Sequence, residues 1–494
     1  MDKPAYAELA RSQLRLHRLT HLYNIVDWDR ATMMPPRGSE SRAAAQAELD
    51  ALIHRLRTDP RQAQLLAAAD SEPLEEAERA NLREMRRLHR EENVLPEALV
   101  EARVMASARC EHAWRSQRPA NDWKGFLPNL REVVRIAREE ATLLSQEMGL
   151  SRYDAMVDRW EPDMRSAELD RLFGDLRQWL PGLITRVRDK QAKEKVIEPV
   201  GPYPVDRQRD LGLALMQLLG FDFSAGRLDE STHPFCGGVP EDVRLTTRYR
   251  EDDFTTSMMS TAHETGHARF QQNLPREWLG QPLGVARSAG IHESQSLSVE
   301  MQLVRRRAFA GLLAPLLRRH LGDQPAFAPE NLYRLLTRVE PGYIRVDADE
   351  LTYPLHVILR YEIERPLIEG EIEPDDIPAL WDEKMSSLLG LDTRGNFTNG
   401  CMQDVHWSES LFGYFPTYTL GAMYAAQWFA AIGRAHPDLD ERIAAGDLAP
   451  VFDWLRANIW TQGRRWETAE LVRRASGEPL NPAHFRRHLE SRYL

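Results

Sequence analysis

The sequence of 494 residues has few cysteines, no long apolar run and no excess of positive charge. Its three cysteines, Cys110, Cys236 and Cys401, are odd in number and far apart, which fits a reducing compartment better than a disulfide framework. No stretch reaches the roughly 18–20 consecutive apolar residues that a membrane-spanning helix needs. Because 64 Lys and Arg stand against 75 Asp and Glu, the net charge is −11, which makes nucleic acid an unfavourable partner.

The remaining composition is that of a soluble globular protein, with 42% hydrophobic and 28% charged residues. The chain begins with a polar, amphipathic segment in place of the apolar core of a secretory signal. We therefore expect a cytoplasmic protein whose partners include neither a membrane nor nucleic acid.

Apolar residues recur at helical spacing along most of the chain, for example at Leu172, Leu176 and Leu180, which predicts an all-α fold. Pairs such as Pro181-Gly182 predict helix ends. Neither an internal repeat nor a flexible linker interrupts this pattern, so we expect residues 1–494 to form a single domain.

Two regions depart from the helical pattern. Residues 242–249 alternate, with Val243 and Leu245 on one side and Arg244 on the other, which predicts a strand followed by a helix from about Thr255. Residues 391–407 are rich in Gly, Asn and Asp and predict a loop. The fold therefore includes a small β element within a helical body.

The helix after this strand contains His263, Glu264 and His267 in the order H-E-x-x-H. Side chains at i and i+4 share one helix face, so both imidazoles can bind one metal ion while Glu264 lies beside the water that the ion activates. Zinc favours such nitrogen ligands, and a carboxylate next to the water is suited to act as general base. The pattern predicts one zinc ion per chain, for which cobalt or manganese can substitute.

A catalytic zinc keeps three protein ligands and one open position, so a third ligand is needed. The third histidine of the metzincin pattern is absent, since the sequence continues Ala268-Arg269-Phe270. Two downstream carboxylates are candidates: Glu293, near the start of the next long helix, and Glu300, two turns further on.

These residues are part of a set of motifs spread over nearly the whole chain. The set consists of Trp28-Asp29 with Thr32-Met33-Met34-Pro35, His233-Pro234-Phe235, Asp242-Val243-Arg244-Leu245-Thr246, His263 to His267, His292-Glu293-Ser294-Gln295-Ser296, Ile344-Arg345-Val346-Asp347-Ala348-Asp349, and Gly400-Cys401-Met402-Gln403-Asp404-Val405-His406-Trp407. In these motifs the chain resembles the carboxypeptidase Taq family of zinc-dependent metallocarboxypeptidases.

The resemblance implies a mostly helical, two-lobed body with a deep cleft, related in architecture to neurolysin and angiotensin-converting enzyme, with a small sheet beside the active-site helix. It implies a homodimer that releases single C-terminal residues from peptides with broad specificity. Within the site, it implies that His263, His267 and Glu293 bind the metal and that Glu264 is the base.

A carboxypeptidase must bind a free α-carboxylate, for which a guanidinium in a dry cleft is the best donor. Arg345 and Arg244 are the candidates. Each has a structural alternative: Arg345 would pair with Asp347 or Asp349, and Arg244 with Asp242. The strand from Asp242 is also expected to lie along the substrate and to pair with its backbone.

The oxyanion of the tetrahedral intermediate needs hydrogen-bond donors besides the metal. His406 lies in the loop and Tyr414 at the entry of the next helix, and related metallopeptidases place a His and a Tyr in this order. Tyr414 is the first choice as donor and Tyr418 the second. For His406 the structural alternative is a bond to Asp404.

Two other functions fit the same sequence. One is a dipeptidyl carboxypeptidase or an oligo-endopeptidase on the same scaffold, and the difference depends on whether the loop of residues 391–407 blocks the end of the cleft. The other is a non-catalytic helical protein that binds peptides. The intact Glu264 argues against it, because a purely structural metal site has no use for a base.

Overall fold

Helices build most of the protein in the computed structural model, which describes residues 2–494. In chain order they are α1 (Pro4–Thr32), α2 (Ser39–Arg57), α3 (Arg61–Ala69), α4 (Glu76–Val94), α5 (Glu97–Gln117), α6 (Trp123–Met148), α7 (Arg152–Asp158), α8 (Ser166–Gln191), α9 (Val205–Leu218), α10 (Phe254–Gln272), α11 (Ala289–Leu297), α12 (Arg307–Leu321), α13 (Pro329–Leu336), α14 (Tyr353–Glu369), α15 (Ile377–Leu389), α16 (Pro416–Ala435), α17 (Leu439–Ala444), α18 (Ala449–Asn458), α19 (Thr468–Ser476) and α20 (Ala483–Tyr493). A π-helical segment, Ser298–Val304, continues α11. Among the described residues, no helix combines the length and apolar character that a membrane crossing requires.

Three strands form one small sheet beside α10, in the order β1-β3-β2. They are β1 (Gly226–Glu230), β2 (Cys236–Val239) and β3 (Asp242–Thr247). The fold class predicted from the sequence, a mainly helical body with a small sheet, is thus confirmed. β3 is the predicted strand, but it pairs in parallel with β1 and antiparallel with β2. Because both of its edges are occupied, the expectation that β3 pairs with a substrate is wrong, and β1 and β2 are the edge strands of this sheet.

The structure departs from the simple reading of Pro and Gly at two places, one of which is the helix end predicted at Pro181-Gly182. The Gly-rich β2 does not have the composition of a strand, and its extended conformation follows from pairing with β3. Pro181 lies inside α8 and does not end it. Its neighbours Leu180 and Leu183 are buried in the core, and this packing on both sides outweighs the roughly 3 kcal/mol that an internal proline costs.

The protein has three hydrophobic cores of unequal size, the smallest of which lies between the sheet and α10. The main core includes the buried faces of α6, α8, α14 and α16, and the predicted stripe of α8 is fully buried there. A separate, smaller core joins α1, α3 and α4 through Leu9, Leu66 and Leu82. The N-terminal helices therefore form a distinct layer on the rest of the body.

Two glycines set how closely the helices of the site approach each other. A Cβ at Gly266 of α10 would lie 2.5 Å from the backbone oxygen of Gln295 in α11. A Cβ at Gly421 of α16 would lie 2.7 Å from Cγ of Glu293. Only glycine allows these contacts, and they bring α10 and α16 against α11, where the candidate metal ligand Glu293 lies.

Candidate active site

Helix α10 carries the H-E-x-x-H residues. Asp253 caps its N-terminus by accepting hydrogen bonds from the backbone N–H groups of Thr255 and Thr256. The i, i+4 spacing then places His263 and His267 on one face, with ring centroids 5.0 Å apart.

Glu293 of α11 completes a cluster with these two histidines. Its Oε2 atom lies 3.8 Å from Nε2 of His263 and 3.5 Å from Nε2 of His267. One ligand atom from each residue lies within 4.8 Å of the others. Ligands of a tetrahedral zinc ion are about 3.3–3.6 Å apart, so both the donor set and its spacing fit a divalent ion.

Glu300, the other candidate ligand, makes different contacts. Its Oε2 atom accepts a hydrogen bond from Nδ1 of His263 at 2.9 Å, and its Oε1 atom accepts one from Nη2 of Arg305 at 3.0 Å. The His263 ring therefore faces Glu293 with Nε2 and Glu300 with Nδ1. This geometry is typical of a carboxylate that orients a metal-binding histidine and does not itself bind the metal.

The electrostatics of the cluster favour a cation. Burial by itself would lower the pKa of His263, but the charges of Glu293 and Glu300 outweigh burial and raise this pKa to about 10. At Glu293 the histidines overcome the effect of burial and lower the pKa of the carboxyl to about 2. Glu293 is therefore ionised at neutral pH, and a metal ion would compete with protons for the imidazoles.

Glu264 lies beside the cluster and is only 7% exposed. Burial raises the pKa of its carboxyl, and His263 and His267 limit the rise. Within residues 2–494 its side chain forms no hydrogen bond, so its oxygens are free to accept a proton. A carboxyl with a raised pKa in this position is suited to proton transfer.

The predicted loop brings His406 to the site. Residues 391–407 contain neither helix nor strand. Nε2 of His406 is hydrogen-bonded to the hydroxyl of Tyr418 at 3.0 Å. No hydrogen bond joins His406 to Asp404 in the described chain, so that structural alternative is wrong. Burial and the charge of Arg345 lower the pKa of His406 to about 3, which keeps its ring neutral.

Tyr414 lies two residues before α16 and is half-buried. Its ring packs edge-on against Trp160 at 5.0 Å and lies 5.3 Å from the ring of Tyr418. Burial and the charge of Glu293 raise the pKa of its hydroxyl above the usual value, so Tyr414 stays protonated. Its hydroxyl forms no hydrogen bond within residues 2–494, whereas the Tyr418 hydroxyl is bonded to His406.

Arg345 is 3% exposed and forms an ion pair that the sequence did not predict. Its Nε and Nη2 atoms donate to Oδ1 of Asp404 at 3.1 and 2.8 Å, and Nη1 donates to the hydroxyl of Tyr353 at 2.5 Å. The predicted alternatives, Asp347 and Asp349, are therefore wrong as partners.

A second guanidinium shares the same carboxylate. Nε of Arg360, a fully buried residue of α14, donates to Oδ2 of Asp404 at 2.6 Å. Two positive charges thus face one negative charge, which leaves an excess of one. The Arg345 guanidinium lies over the ring of Tyr418 at 4.8 Å, and the hydroxyl of Tyr418 is bonded to His406. The excess charge therefore lies beside the candidate oxyanion donors.

Arg244 has a different environment. Its Nε and Nη2 atoms donate to the carboxylate of Asp242 at 2.9 and 3.0 Å, which confirms the structural alternative. Its guanidinium also stacks on the ring of Trp28 at 4.4 Å. These contacts attach α1 to the sheet, and Arg345, not Arg244, belongs to the group around Asp404.

Sequence reasoning missed Arg360 and Tyr353. A signal for Arg360 was present, because this arginine interrupts the apolar run of Val357, Ile358 and Leu359. A charge in the middle of a buried helix needs a counter-ion. Tyr353, at the start of the same helix, had no comparable signal.

A divalent ion between His263, His267 and Glu293 would leave Glu264 free to act on a water molecule, which is the chemistry of a metal-dependent hydrolase. Comparison with known proteins agrees. The family model of Carboxypeptidase Taq (M32) metallopeptidase matches residues 8–493, and the chain belongs to this family. Its function as a metal-dependent carboxypeptidase, predicted from the sequence, is confirmed, and membership implies a divalent metal.

Individual relatives match over the whole chain. Thermostable carboxypeptidase 1 of Thermus thermophilus is 39% identical, over 99% of this chain and 98% of that protein. The structure of metallocarboxypeptidase 1 from Trypanosoma cruzi is 48% identical, with a TM-score of 0.97 and 100% of both chains covered. A carboxypeptidase structure from Pyrococcus furiosus is 31% identical, with a TM-score of 0.95 and 100% of both chains covered.

Proposed function

We propose that His263, His267 and Glu293 bind one divalent ion, that zinc is the native metal and that cobalt or manganese can replace it. The spacing of the three ligand atoms within 4.8 Å supports this, as does the orientation of His263 by Glu300. When bound, the ion would lower the pKa of a water molecule and polarise the carbonyl of the scissile bond.

Glu264 is the general base of this proposal. Its carboxylate takes a proton from the attacking water and delivers it to the leaving amine. Its position on α10, one residue after His263, places it beside the metal ligands, and its burial excludes bulk water from the proton transfer.

Arg345 binds the α-carboxylate of the peptide. The observation that supports this most is the sharing of Asp404 by Arg345 and Arg360, because two guanidiniums on one carboxylate leave a positive charge that a substrate carboxylate can neutralise. In a buried site such a charge-assisted contact is strong and selects free C-termini. Arg244 has no part in this step, since Asp242 balances its charge.

Tyr414 donates a hydrogen bond to the oxyanion as the carbonyl becomes tetrahedral. Its hydroxyl is not engaged elsewhere in the described chain, which favours it over Tyr418. The neutral His406 is the second donor, and its bond to Tyr418 fixes the orientation of its ring.

The free edge of β2 aligns the peptide backbone upstream of the scissile bond, in the way that an added strand extends a sheet. β2 lies beside α10, because the side-chain amide of Gln271 donates a hydrogen bond to the backbone oxygen of Gly238 at 2.9 Å. A Cβ at Gly237 would meet no atom within 4 Å, which leaves space for a substrate along this strand.

Three wider expectations belong to the same proposal. The whole of residues 1–494 acts as one catalytic domain, the enzyme is a homodimer, and it works in the cytoplasm. Light scattering coupled to gel filtration would test the dimer, and a mass of one chain would contradict it.

The experiment that tests the proposed function combines metal analysis with mass spectrometry of a digested peptide. We expect one divalent ion per chain and a ladder of products that differ by single C-terminal residues. Steps of two residues or internal cleavage would instead assign a dipeptidyl carboxypeptidase or an endopeptidase. Full activity after metal removal would contradict the metal site.

A further inference from the structure

A buried carboxylate outside the catalytic group contacts the whole loop between α15 and α16, residues 390–415, which presents His406 and Tyr414. Glu364 of α14 has no exposed surface. It accepts hydrogen bonds from the backbone N–H of Gly413 at 2.6 Å, from Nε1 of Trp407 at 2.7 Å and from the hydroxyl of Tyr153 at 3.0 Å. No Arg, Lys or His of residues 2–494 forms an ion pair with it.

Two of these three donors belong to the loop. Trp407 directly follows His406, and Gly413 directly precedes Tyr414. One turn earlier on the same helix, Arg360 binds Asp404, two residues before His406. Helix α14 thus fixes the loop through Arg360 at Asp404 and through the Glu364 carboxylate at Trp407 and Gly413.

Gly413 is also fixed from its other side. Its φ angle is 82°, and a Cβ there would lie 2.7 Å from the backbone oxygen of Met156 in α7. The peptide before Tyr414 therefore lies between α7 and the Glu364 carboxylate, in a conformation that favours glycine. Small displacements of this peptide would move the Tyr414 ring directly.

We propose that Glu364 is a positioning residue, which holds Tyr414 and His406 where they can donate to the oxyanion. The inference rests on the proposed function of these two donors. Glu364 itself lies behind the loop and does not touch the substrate. Burial raises the pKa of its carboxyl to about 7, although the three hydrogen bonds that it accepts act to lower this pKa. The carboxyl is therefore costly to bury, and its contacts with the loop are the reason for its position.

The variant Glu364→Gln tests the proposal because it keeps the size of the side chain. Oε1 accepts from Tyr153 and Gly413, and Oε2 accepts from Trp407. A Gln amide has a single oxygen, so one N–H group of the loop loses its acceptor in either orientation. We expect kcat to fall by about 10- to 100-fold, the effect of a displacement of about 1 Å, with KM and metal content unchanged.

Two further variants separate positioning from general loosening. Trp407→Phe removes a donor within the loop, whereas Tyr153→Phe removes a donor to the same carboxylate from α7. We expect Trp407→Phe to lower kcat as Glu364→Gln does, and Tyr153→Phe to lower thermal stability with kcat near the wild-type value. Equal losses of kcat in both variants would overturn the proposal, and Trp407→Phe remains informative if Glu364→Gln fails to fold.

A double-mutant cycle with Tyr414→Phe gives the deciding result. If Glu364 acts partly through Tyr414, Glu364→Gln lowers kcat by a smaller factor in the Tyr414→Phe background than in the wild type, and the remaining loss comes through His406. If the kcat losses of the two single variants simply multiply in the double variant, the inference is wrong. If Tyr414→Phe alone leaves kcat unchanged, the proposed role of Tyr414 is wrong and the inference falls with it. If Tyr414→Phe lowers kcat and Glu364→Gln does not, the inference alone is wrong.

Discussion

Nδ1 of His263 and Oε2 of Glu300 lie 2.9 Å apart, while Nε2 of the same imidazole faces Glu293. The ionised Glu300 accepts a hydrogen bond from the Nδ1–H group of His263, so the lone pair of Nε2 is directed to the candidate metal position. We predict that Glu300→Ala lowers metal affinity by about 10- to 100-fold, the usual effect of losing such a partner. Competition with a chelator measures this, and wild-type affinity in the variant would contradict the assigned role.

The second prediction separates the base from the ligands. Glu264→Gln should bind metal as the wild type does, with kcat lower by about 10²–10⁴, because the proton acceptor is lost and the ligands remain. Glu293→Ala should lose the metal. Metal analysis and steady-state kinetics on both variants are the test. Metal loss in the first variant and metal retention in the second would show that the roles are exchanged.

The third prediction concerns the oxyanion donor. Tyr414→Phe should lower kcat by up to about 10²–10³ with little change in KM, because its hydroxyl bond forms mainly in the transition state. Tyr418→Phe is the matched control. It removes the bond to His406 and should have the smaller effect on kcat. The reverse order would transfer the role to Tyr418.

The fourth prediction is a dependence of stability on pH. The pKa of Glu364 rises from 4.5 in the unfolded chain to about 7 in the folded protein. Between pH 4.5 and 7 this carboxyl is therefore protonated in the folded protein and ionised in the unfolded chain. Stability from this group is therefore full below about pH 4.5 and is lost as the pH rises through 7, by about 3 kcal/mol. Glu364→Gln lacks this titration.

Urea unfolding at several pH values measures this difference. Between pH 4.5 and 7.5 the unfolding free energy of the wild type should fall relative to that of Glu364→Gln. Glu161, whose pKa is also about 7, titrates in both proteins and so cancels. A difference that stays constant with pH would show that the carboxyl of Glu364 titrates normally in the folded protein.

The sequence predicted that His263 and His267 lie together because their geometry is local. The i, i+4 spacing of His263 and His267 determines their common face in any α-helix. Periodicity alone left both Glu293 and Glu300 open as the third ligand. The choice depends on how α11 packs on α10 at Gly266, which is a tertiary contact.

The surroundings of Arg345 could not be predicted in the same way. Its expected partners were Asp347 and Asp349, because they are near in sequence. The structure instead pairs it with Asp404, which is 59 residues away. Likewise, β2 is a strand only because β3 lies beside it. Such long-range pairings leave no periodic pattern in a single sequence.

The central claim is that the excess positive charge at Arg345, Arg360 and Asp404 binds the free C-terminus of the substrate. The most direct test compares the rates at which a free-acid peptide and its C-terminal amide are cleaved. The wild type should cleave the amide about 10²-fold more slowly in kcat/KM, since the buried guanidinium loses its charged partner. Arg345→Ala should be slow on the free acid and nearly insensitive to amidation, whereas Arg244→Ala should keep the discrimination. Equal cleavage of both peptides by the wild type would contradict the account.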